Sequence, residues 1–184
     1  MNTSQKSWAI FTIPNILSII RIFLIGPIIY CILQEQRIFL YSGLVLIAIA
    51  IVTDFLDGIL ARKLNQISEV GKILDPLADK IAVGSIIIVL IIYRGLPIWV
   101  ATVIIGRDVL ILLAGLFWAT RHKYVMASTF IGKFTVNVIA LMIVAYVIDI
   151  SILEKIFSYL AVFFTILSGL VYLQRFVKTI GSEN

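Results

Sequence analysis

Four aspartates stand in two spaced pairs in the middle of a very apolar chain. Asp54 and Asp57 are three residues apart, and Asp75 and Asp79 are four residues apart. On helices each pair lies on one face, so two helix ends brought together would make four carboxylates converge. Burying carboxylates beside hydrocarbon is costly, which makes such a group a functional-site hypothesis. Hard divalent cations prefer oxygen ligands of this kind, and Mg2+ commonly combines carboxylates with substrate phosphate oxygens.

A cytoplasmic loop with ordinary helix caps is the alternative for each of these residues taken alone. Asp75 followed by Pro76 fits an N-cap and a proline at the first helical position. Arg62 and Lys63 fit charges at a membrane interface. Because this alternative explains none of the spacings, the grouped site is favoured.

Two small residues and an arginine accompany the first aspartate pair. Gly58 and Ala61 fall on the same helical face as that pair, where a flat base or sugar could approach the backbone closely. Their alternative role is close helix packing, and Arg62 is either a phosphate partner or a loop charge. Such a site suits a metal-bound diphosphate undergoing hydrolysis or group transfer. Asp79, the last of the four aspartates, is the candidate base for an attacking hydroxyl.

The composition places these residues in a membrane protein. Of 184 residues, 61% are hydrophobic and 14% are charged, more apolar surface than a soluble domain needs. The length fits one compact bundle, predicted as a single domain over 1–184 with 1–12 as a possible interfacial segment. The chain has a net charge of +5, and its positive residues flank the apolar runs. This placement favours a role in membrane topology and in contact with anionic headgroups over nucleic-acid binding.

Apolar runs of about 20 residues predict an all-α integral membrane fold with six transmembrane helices. The predicted helices cover 13–33, 39–61, 71 or 75 to 93, 97–119, 128–148 and 156–177. Between them we expect a polar connection at 62–70, a loop at 120–127, a turn at 149–155 and a tail at 178–184.

The positive charges in the loops predict the orientation. Eight lysines and arginines fall on one side and three on the other, so both termini should be cytoplasmic. The larger set is Lys6, Arg62, Lys63, Lys72, Arg121, Lys123, Arg175 and Lys178, and the smaller set is Arg37, Arg94 and Lys155. The four aspartates, Arg21 and Lys133 then fall in the cytoplasmic half, which predicts a polar, metal-binding cavity open to the cytoplasmic side.

The motif Asp54-x2-Asp57-Gly58-x2-Ala61-Arg62-x8-Gly71-x3-Asp75-x3-Asp79 resembles the complete signature of the CDP-alcohol phosphotransferase family. The resemblance implies a CDP-linked donor, usually CDP-diacylglycerol, and two divalent cations, Mg2+ or Mn2+. An alcohol hydroxyl attacks the lipid-linked phosphate and CMP leaves. By position, the resemblance implies Asp54, Asp57, Asp75 and Asp79 as metal ligands, with Asp79 also the base. The implied contacts to CDP are Asp57, Gly58, Ala61, Arg62 and Gly71.

The first helix adds a second resemblance. Ile13-Pro14-Asn15-Ile-Leu-Ser18-Ile-Ile-Arg21 resembles the opening of bacterial phosphatidylglycerophosphate synthases. Asn15, Ser18 and Arg21 fall on one helical face and could line the nucleotide cavity. The alternative is a capped helix start with an arginine that reaches the membrane interface.

The motifs expected to bind the acceptor depart from the family pattern. A phosphorylated acceptor needs cations, and Arg107 and Lys133 are the candidates, although Arg107 could serve only to neutralise Asp108 and Lys133 only to reach the interface. The glycerol 3-phosphate branch usually has Arg-Glu in the fourth helix and Gly-Lys-x-Lys-Thr in the fifth. Here Arg107-Asp108 is more similar to cardiolipin synthases, and the second lysine of the fifth-helix motif is absent.

The resemblance therefore implies a phosphatidyltransferase of the bacterial inner membrane that acts on CDP-diacylglycerol, and the charge pattern predicts that it acts at the cytoplasmic face. Glycerol 3-phosphate is the first choice of acceptor and phosphatidylglycerol, giving cardiolipin, is the second. Inositol phosphate and serine follow. A homodimer is the family expectation. A small cation or solute transporter is the alternative from another class, but it leaves Gly58, Ala61 and Arg62 unexplained.

Overall fold

The computed structural model describes residues 12–34, 36–63, 69–122 and 129–181. These stretches are helical apart from caps and short connections. The helices are α1 (Ile13–Leu33), α2 (Arg37–Lys63), α3 (Glu69–Arg94), α4 (Ile98–His122), α5 (Phe130–Ile148) and α6 (Ser151–Gly181). The predicted all-α class is confirmed for the described part of the chain.

Several helices extend further than predicted. α1 has the predicted bounds, but helix replaces both ends of the expected connection at 62–70 and the start of the expected loop at 120–127. The expected turn at 149–155 is present but limited to residues 149–150, because α6 begins at Ser151. α6 also continues into the expected tail as far as Gly181. Glutamate, lysine and arginine are good helix formers, so the helices continue beyond their apolar runs.

α3 starts earlier than predicted, and this changes the position assigned to Asp75. The helix begins at Glu69, earlier than the predicted start at Gly71 or Asp75, and runs on through Pro76. Asp75 is therefore inside a helix, and the N-cap alternative is wrong. The predicted interfacial segment covers residues 1–12, and residues 1–11 of it lie outside the described residues. The same is true of residues 35, 64–68, 123–128 and 182–184.

Threonine side chains begin two of the helices. The Thr12 hydroxyl accepts a hydrogen bond from the backbone N–H of Asn15 at 3.4 Å, and the Thr129 hydroxyl accepts one from Gly132 at 3.0 Å. Each cap satisfies a backbone donor that has no partner within its own helix. The second cap fixes the start of α5, whose first turn holds Gly132 and Lys133.

The chain forms two compact units, one ending at Val89 and one beginning at Leu90. In the first unit α1 packs along α2. Ile28 and Cys31 of α1 are buried there. A methyl group added to Gly43 of α2 would lie 3.2 Å from the Cβ of Cys31, so this contact depends on a small residue. The prediction of one domain over 1–184 stays a prediction.

In the second unit α6 packs against both α4 and α5. Met142 and Tyr146 of α5 and Ala161 of α6 are buried in this core. The hydroxyl groups of Tyr146 and Ser158 lie 3.1 Å apart, within hydrogen-bonding distance. α6 therefore presents a buried face that also holds small polar residues.

The fold is that of a helical membrane protein. The described helices include four segments long and apolar enough to cross a membrane, namely Asn15–Leu33, Arg37–Leu56, Phe130–Ile148 and Ser151–Arg175. Large apolar side chains such as Phe23, Phe130 and Phe163 are exposed on them, which suits contact with lipid. α3 and α4 are not among these segments of the described residues, and six membrane spans stay a prediction.

Candidate active site

A buried polar face of α1 contributes the first part of the site. Asn15, Ser18 and Arg21 are all buried, with 1%, 0% and 4% of their surface exposed. Their spacing of three residues keeps them on one side of the helix. A membrane helix rarely buries an arginine unless the charge has partners. The partners of Arg21 therefore explain how this charge is accommodated on the buried face.

Arg21 joins aspartates from two other helices. Its Nη1 atom lies 3.0 Å from Oδ1 of Asp54 on α2. The same nitrogen donates a hydrogen bond to Oδ1 of Asp79 on α3. Both carboxylates are about half exposed while the arginine is buried. α1, α2 and α3 thus meet at one guanidinium nitrogen.

The structure brings together two of the four predicted metal ligands, and it adds Arg21 to them. The resemblance assigned Arg21 to the nucleotide, and its pairing with Asp54 and Asp79 was not predicted. The signal was present in the sequence, because Arg21 is a charged residue on the same face as Asn15 and Ser18. Its proposed contact with CDP stays a prediction.

The remaining signature residues lie on the same two helices. Their backbones are helical, while their side chains lie outside the described part of the structure. They are Asp57, Gly58, Ala61 and Arg62 on α2, and Gly71 and Asp75 on α3. Their predicted contacts with metal and CDP stay predictions.

The chemistry of the described donors fits a divalent cation. Asp54 and Asp79 place carboxylate oxygens from two helices close enough to share one cationic nitrogen. Mg2+ and Mn2+ bind such oxygens, usually together with phosphate oxygens of a substrate. The side chains that the structure describes include no group of three or more acidic, histidine or cysteine residues that could hold a metal ion. The side chains of Asp57 and Asp75 are not part of the described set. These two residues are the ones that the resemblance adds to the metal site.

Arg107 is the centre of a polar group in the second unit. Its Nη1 atom donates to Oδ1 of Asp108 at 2.6 Å, and its Nη2 atom donates to Oγ of Ser168 at 2.5 Å. The guanidinium carbon lies 5.6 Å from the centre of the Tyr172 ring, a cation–π distance. Ser168 and Tyr172 were not predicted as site residues. Their spacing of four on α6 places them on one face, but the sequence did not show that this face meets Arg107.

The start of α5 lies beside the same arginine. A methyl group added to Gly132 would lie 3.5 Å from Nη2 of Arg107 and 3.4 Å from Cε2 of Tyr172. Lys133 follows Gly132 directly, and its side chain is exposed. The two predicted acceptor-phosphate residues, Arg107 and Lys133, are therefore brought to the same end of α5.

Comparisons with known proteins identify the family of the chain. A family model described as CDP-alcohol phosphatidyltransferase matches residues 11–167. The chain belongs to the CDP-alcohol phosphatidyltransferase family. The match covers Arg21, Asp54 and Asp79 as well as Arg107 and Asp108, and it ends one residue before Ser168. Members of this family generally depend on divalent cations. The family prediction is confirmed.

Three individual family members show the extent of the similarity. A CDP-diacylglycerol–glycerol-3-phosphate 3-phosphatidyltransferase of Aquifex aeolicus is 37% identical over 70% of this chain and 71% of its own length. A protein of that name from Mycoplasma pneumoniae is 32% identical over 95% of this chain and 91% of its own. A cardiolipin synthase (CMP-forming) of Streptomyces coelicolor is 35% identical over 71% of this chain and 62% of its own.

Proposed function

We propose that the protein transfers the phosphatidyl group of CDP-diacylglycerol to glycerol 3-phosphate, releasing CMP and forming phosphatidylglycerophosphate. The observation that carries this proposal is the meeting of Asp54 and Asp79 at Arg21. These two aspartates begin and end the family signature, 25 positions apart in the sequence. The names of the Aquifex and Mycoplasma relatives support the choice of reaction.

The donor binds at the signature residues in this proposal. The four aspartates hold two divalent cations, Mg2+ or Mn2+, which when bound offset the negative charge of the donor diphosphate and of the leaving phosphate. Gly58 and Ala61 leave room for the nucleotide beside α2, Arg62 pairs with its phosphate, and Gly71 lies close by. Asn15 and Ser18 complete the nucleotide surface from α1.

The reaction is a substitution at the phosphorus that carries the lipid. The hydroxyl oxygen of glycerol 3-phosphate forms the new P–O bond, and the P–O bond to CMP breaks. The hydroxyl proton passes to an Oδ atom of Asp79, and CMP departs with the bonding electrons. Arg21 holds Asp79 in place for this transfer, because its guanidinium pairs with both Asp54 and Asp79. A base must lie within hydrogen-bonding distance of the proton it accepts.

The acceptor phosphate binds at Arg107 and Lys133 in this proposal. Both are cationic, and a phosphate needs such partners in an apolar setting. Phosphatidylglycerol is the second candidate acceptor, giving cardiolipin. The Arg107-Asp108 sequence and the Streptomyces relative favour this second reaction. More of the relatives carry the name of the glycerol 3-phosphate enzyme.

The location follows from the same reasoning. We place the protein in a bacterial inner membrane as a homodimer, with six spans and with both termini and a polar active-site cavity on the cytoplasmic side. The excess of positive charge on that side supports the orientation. The bacterial membrane-enzyme relatives support the compartment.

Release of CMP by the purified protein tests the proposal. CDP-diacylglycerol and Mg2+ or Mn2+ are supplied with glycerol 3-phosphate, phosphatidylglycerol, inositol phosphate or serine in separate reactions. We expect release with glycerol 3-phosphate, lost in Asp79→Asn and retained in Asp149→Asn, a matched change at an exposed aspartate. Release with phosphatidylglycerol alone would replace the first acceptor by the second. A folded protein that neither releases CMP nor binds CDP-diacylglycerol would contradict the donor assignment and reopen the transporter alternative.

A further inference from the structure

We propose that Ser168 and Tyr172 are positioning residues that orient the Arg107 guanidinium towards the phosphate of the acceptor. This inference rests on the proposed function, because it deepens the acceptor site of that reaction. Ser168 and Tyr172 contact Arg107 in the structure, and neither belongs to the signature. Their proposed role is to set how tightly the acceptor binds, without touching the reacting atoms.

The hydrogen bonds of Arg107 fix the plane of its guanidinium. Asp108 accepts from Nη1 and Ser168 accepts from Nη2, so the two terminal nitrogens are held by residues of different helices. An arginine that served only to neutralise Asp108 would need only the first of these bonds. The bond to Ser168 adds orientation, which matters because guanidinium recognises phosphate through donors in a fixed plane.

Tyr172 supports one face of the same group. Its ring centre lies 5.6 Å from the guanidinium carbon. The ring is itself tied to α5, because the Tyr172 hydroxyl accepts from the backbone N–H of Thr129 at 3.4 Å. Gly132 leaves the space that ring and guanidinium occupy, since an added methyl group would lie 3.5 Å or less from both. Arg107 is thus enclosed by α6 and the first turn of α5.

Arg107 retains donors for a ligand. A guanidinium has five N–H groups, and the two contacts above use one on each terminal nitrogen. Its Nε atom is buried and has no hydrogen-bond partner among the residues that the structure describes. Buried hydrogen-bond donors normally have an acceptor, so this N–H group is available to donate to a bound phosphate oxygen. A held guanidinium with unused donors is suited to bind an anion.

Steady-state kinetics of matched variants test the assignment. The variants are Ser168→Ala, Tyr172→Leu and Tyr172→Phe. The matched controls are Ser158→Ala and Tyr159→Leu, which lie on the same helix and whose side chains contact Tyr146 and Trp99. The KM for glycerol 3-phosphate, the KM for CDP-diacylglycerol and kcat are measured for each protein, together with its thermal unfolding.

We expect Ser168→Ala and Tyr172→Leu to raise the acceptor KM about three- to ten-fold, the size of one lost contact to a charged group. The donor KM should stay at the wild-type value, and the controls should change neither KM. Tyr172→Phe keeps the ring face and should restore most of the acceptor affinity. The proposal is overturned if donor and acceptor KM rise together, if neither rises, or if Tyr172→Phe behaves like Tyr172→Leu.

The experiment separates this inference from the proposed function. If wild-type protein uses phosphatidylglycerol alone, the first acceptor is wrong, and the same variants are judged by their KM for phosphatidylglycerol, whose phosphate would meet Arg107. If wild-type protein uses only serine, Arg107 has no acceptor phosphate to bind and the inference is overturned. If it releases no CMP, binding of radiolabelled glycerol 3-phosphate is measured instead. Weaker binding in Ser168→Ala and Tyr172→Leu supports the inference, and unchanged or absent binding overturns it.

Discussion

The Nη1 atom of Arg21 lies 3.0 Å from Oδ1 of Asp54, and the same atom donates to Asp79. The relationship joins a residue of the first helix to the first and last aspartates of the family signature. One cation thus offsets part of the repulsion between two carboxylates that the reaction needs close together. The contact links the stability of the first unit to the geometry of its site.

Replacing Arg21 with glutamine should destabilise the protein and reduce its activity. Two carboxylates lose their shared partner, and a charged hydrogen bond contributes about 1.5–3 kcal/mol. Because both carboxylates are half exposed, water should compensate for part of this, and we expect a loss of about 1–2 kcal/mol. Thermal unfolding in detergent measures the change. Arg37→Gln, at an exposed arginine, is the control and should unfold like wild type. Equal unfolding of the Arg21 variant would contradict the structural role of this contact.

Asparagine at position 79 should remove activity with little change in shape. The amide cannot accept the hydroxyl proton as a carboxylate does, and loss of a general base lowers kcat about 10²–10⁴-fold. CMP release at saturating substrates measures the effect. A variant that keeps more than about a tenth of the wild-type kcat would exclude Asp79 as the base.

Removal of divalent cations should stop the reaction. Asp54 and Asp79 offer oxygen ligands to a hard cation, so treatment with EDTA should abolish CMP release and Mg2+ or Mn2+ should restore it. Asp54→Asn should need a higher cation concentration for half-maximal rate, because it replaces a charged ligand by a neutral one. Full activity of the chelated protein, with metal content checked by elemental analysis, would contradict the metal assignment.

Much of the fold and part of the site followed from the sequence. Apolar run length located the helices, and α1 has the predicted bounds because Thr12 and Gln34 interrupt the apolar pattern on both sides. α2, α4 and α6 end further along the chain than predicted. Polar residues can either continue a helix or form the loop after it, so the end of an apolar run does not locate the end of the helix. The aspartate spacing predicted that Asp54 and Asp79 would approach each other.

The contacts of Arg21 and Arg107 did not follow from the sequence, because they depend on which helices are neighbours. Periodicity places Ser168 and Tyr172 on one face of α6, but the partner of that face is set by helix packing. The sequence alone showed that Arg107-Asp108 differs from the Arg-Glu pair usual in the glycerol 3-phosphate branch. The position of the Arg107 guanidinium between Asp108 and Ser168 depends on how α4 packs against α6.

The hydrogen bond between Tyr146 and Ser158 should contribute to stability and not to catalysis. Both side chains are buried where α5 packs on α6, with the oxygens 3.1 Å apart. Such bonds between membrane helices contribute about 0.6 kcal/mol on average and at most about 1.7 kcal/mol. Tyr146→Phe should therefore unfold at a slightly lower temperature while kcat and both KM values remain unchanged. A change in the acceptor KM would mean that this part of α6 also affects the site.

Two glycines should respond to alanine in opposite directions. Gly95 follows α3 with φ of 71°, where the Leu96 N–H turns back to the Leu90 carbonyl at 3.1 Å. A side chain in this left-handed conformation costs about 1–2 kcal/mol, so Gly95→Ala should destabilise the protein. Gly84 lies inside α3, and a methyl group there meets nothing within 4 Å. Gly84→Ala should stabilise the helix by up to about 1 kcal/mol. Thermal unfolding of both variants in the same detergent measures the difference, and a stabilising Gly95→Ala would show that the turn after α3 does not require the left-handed backbone.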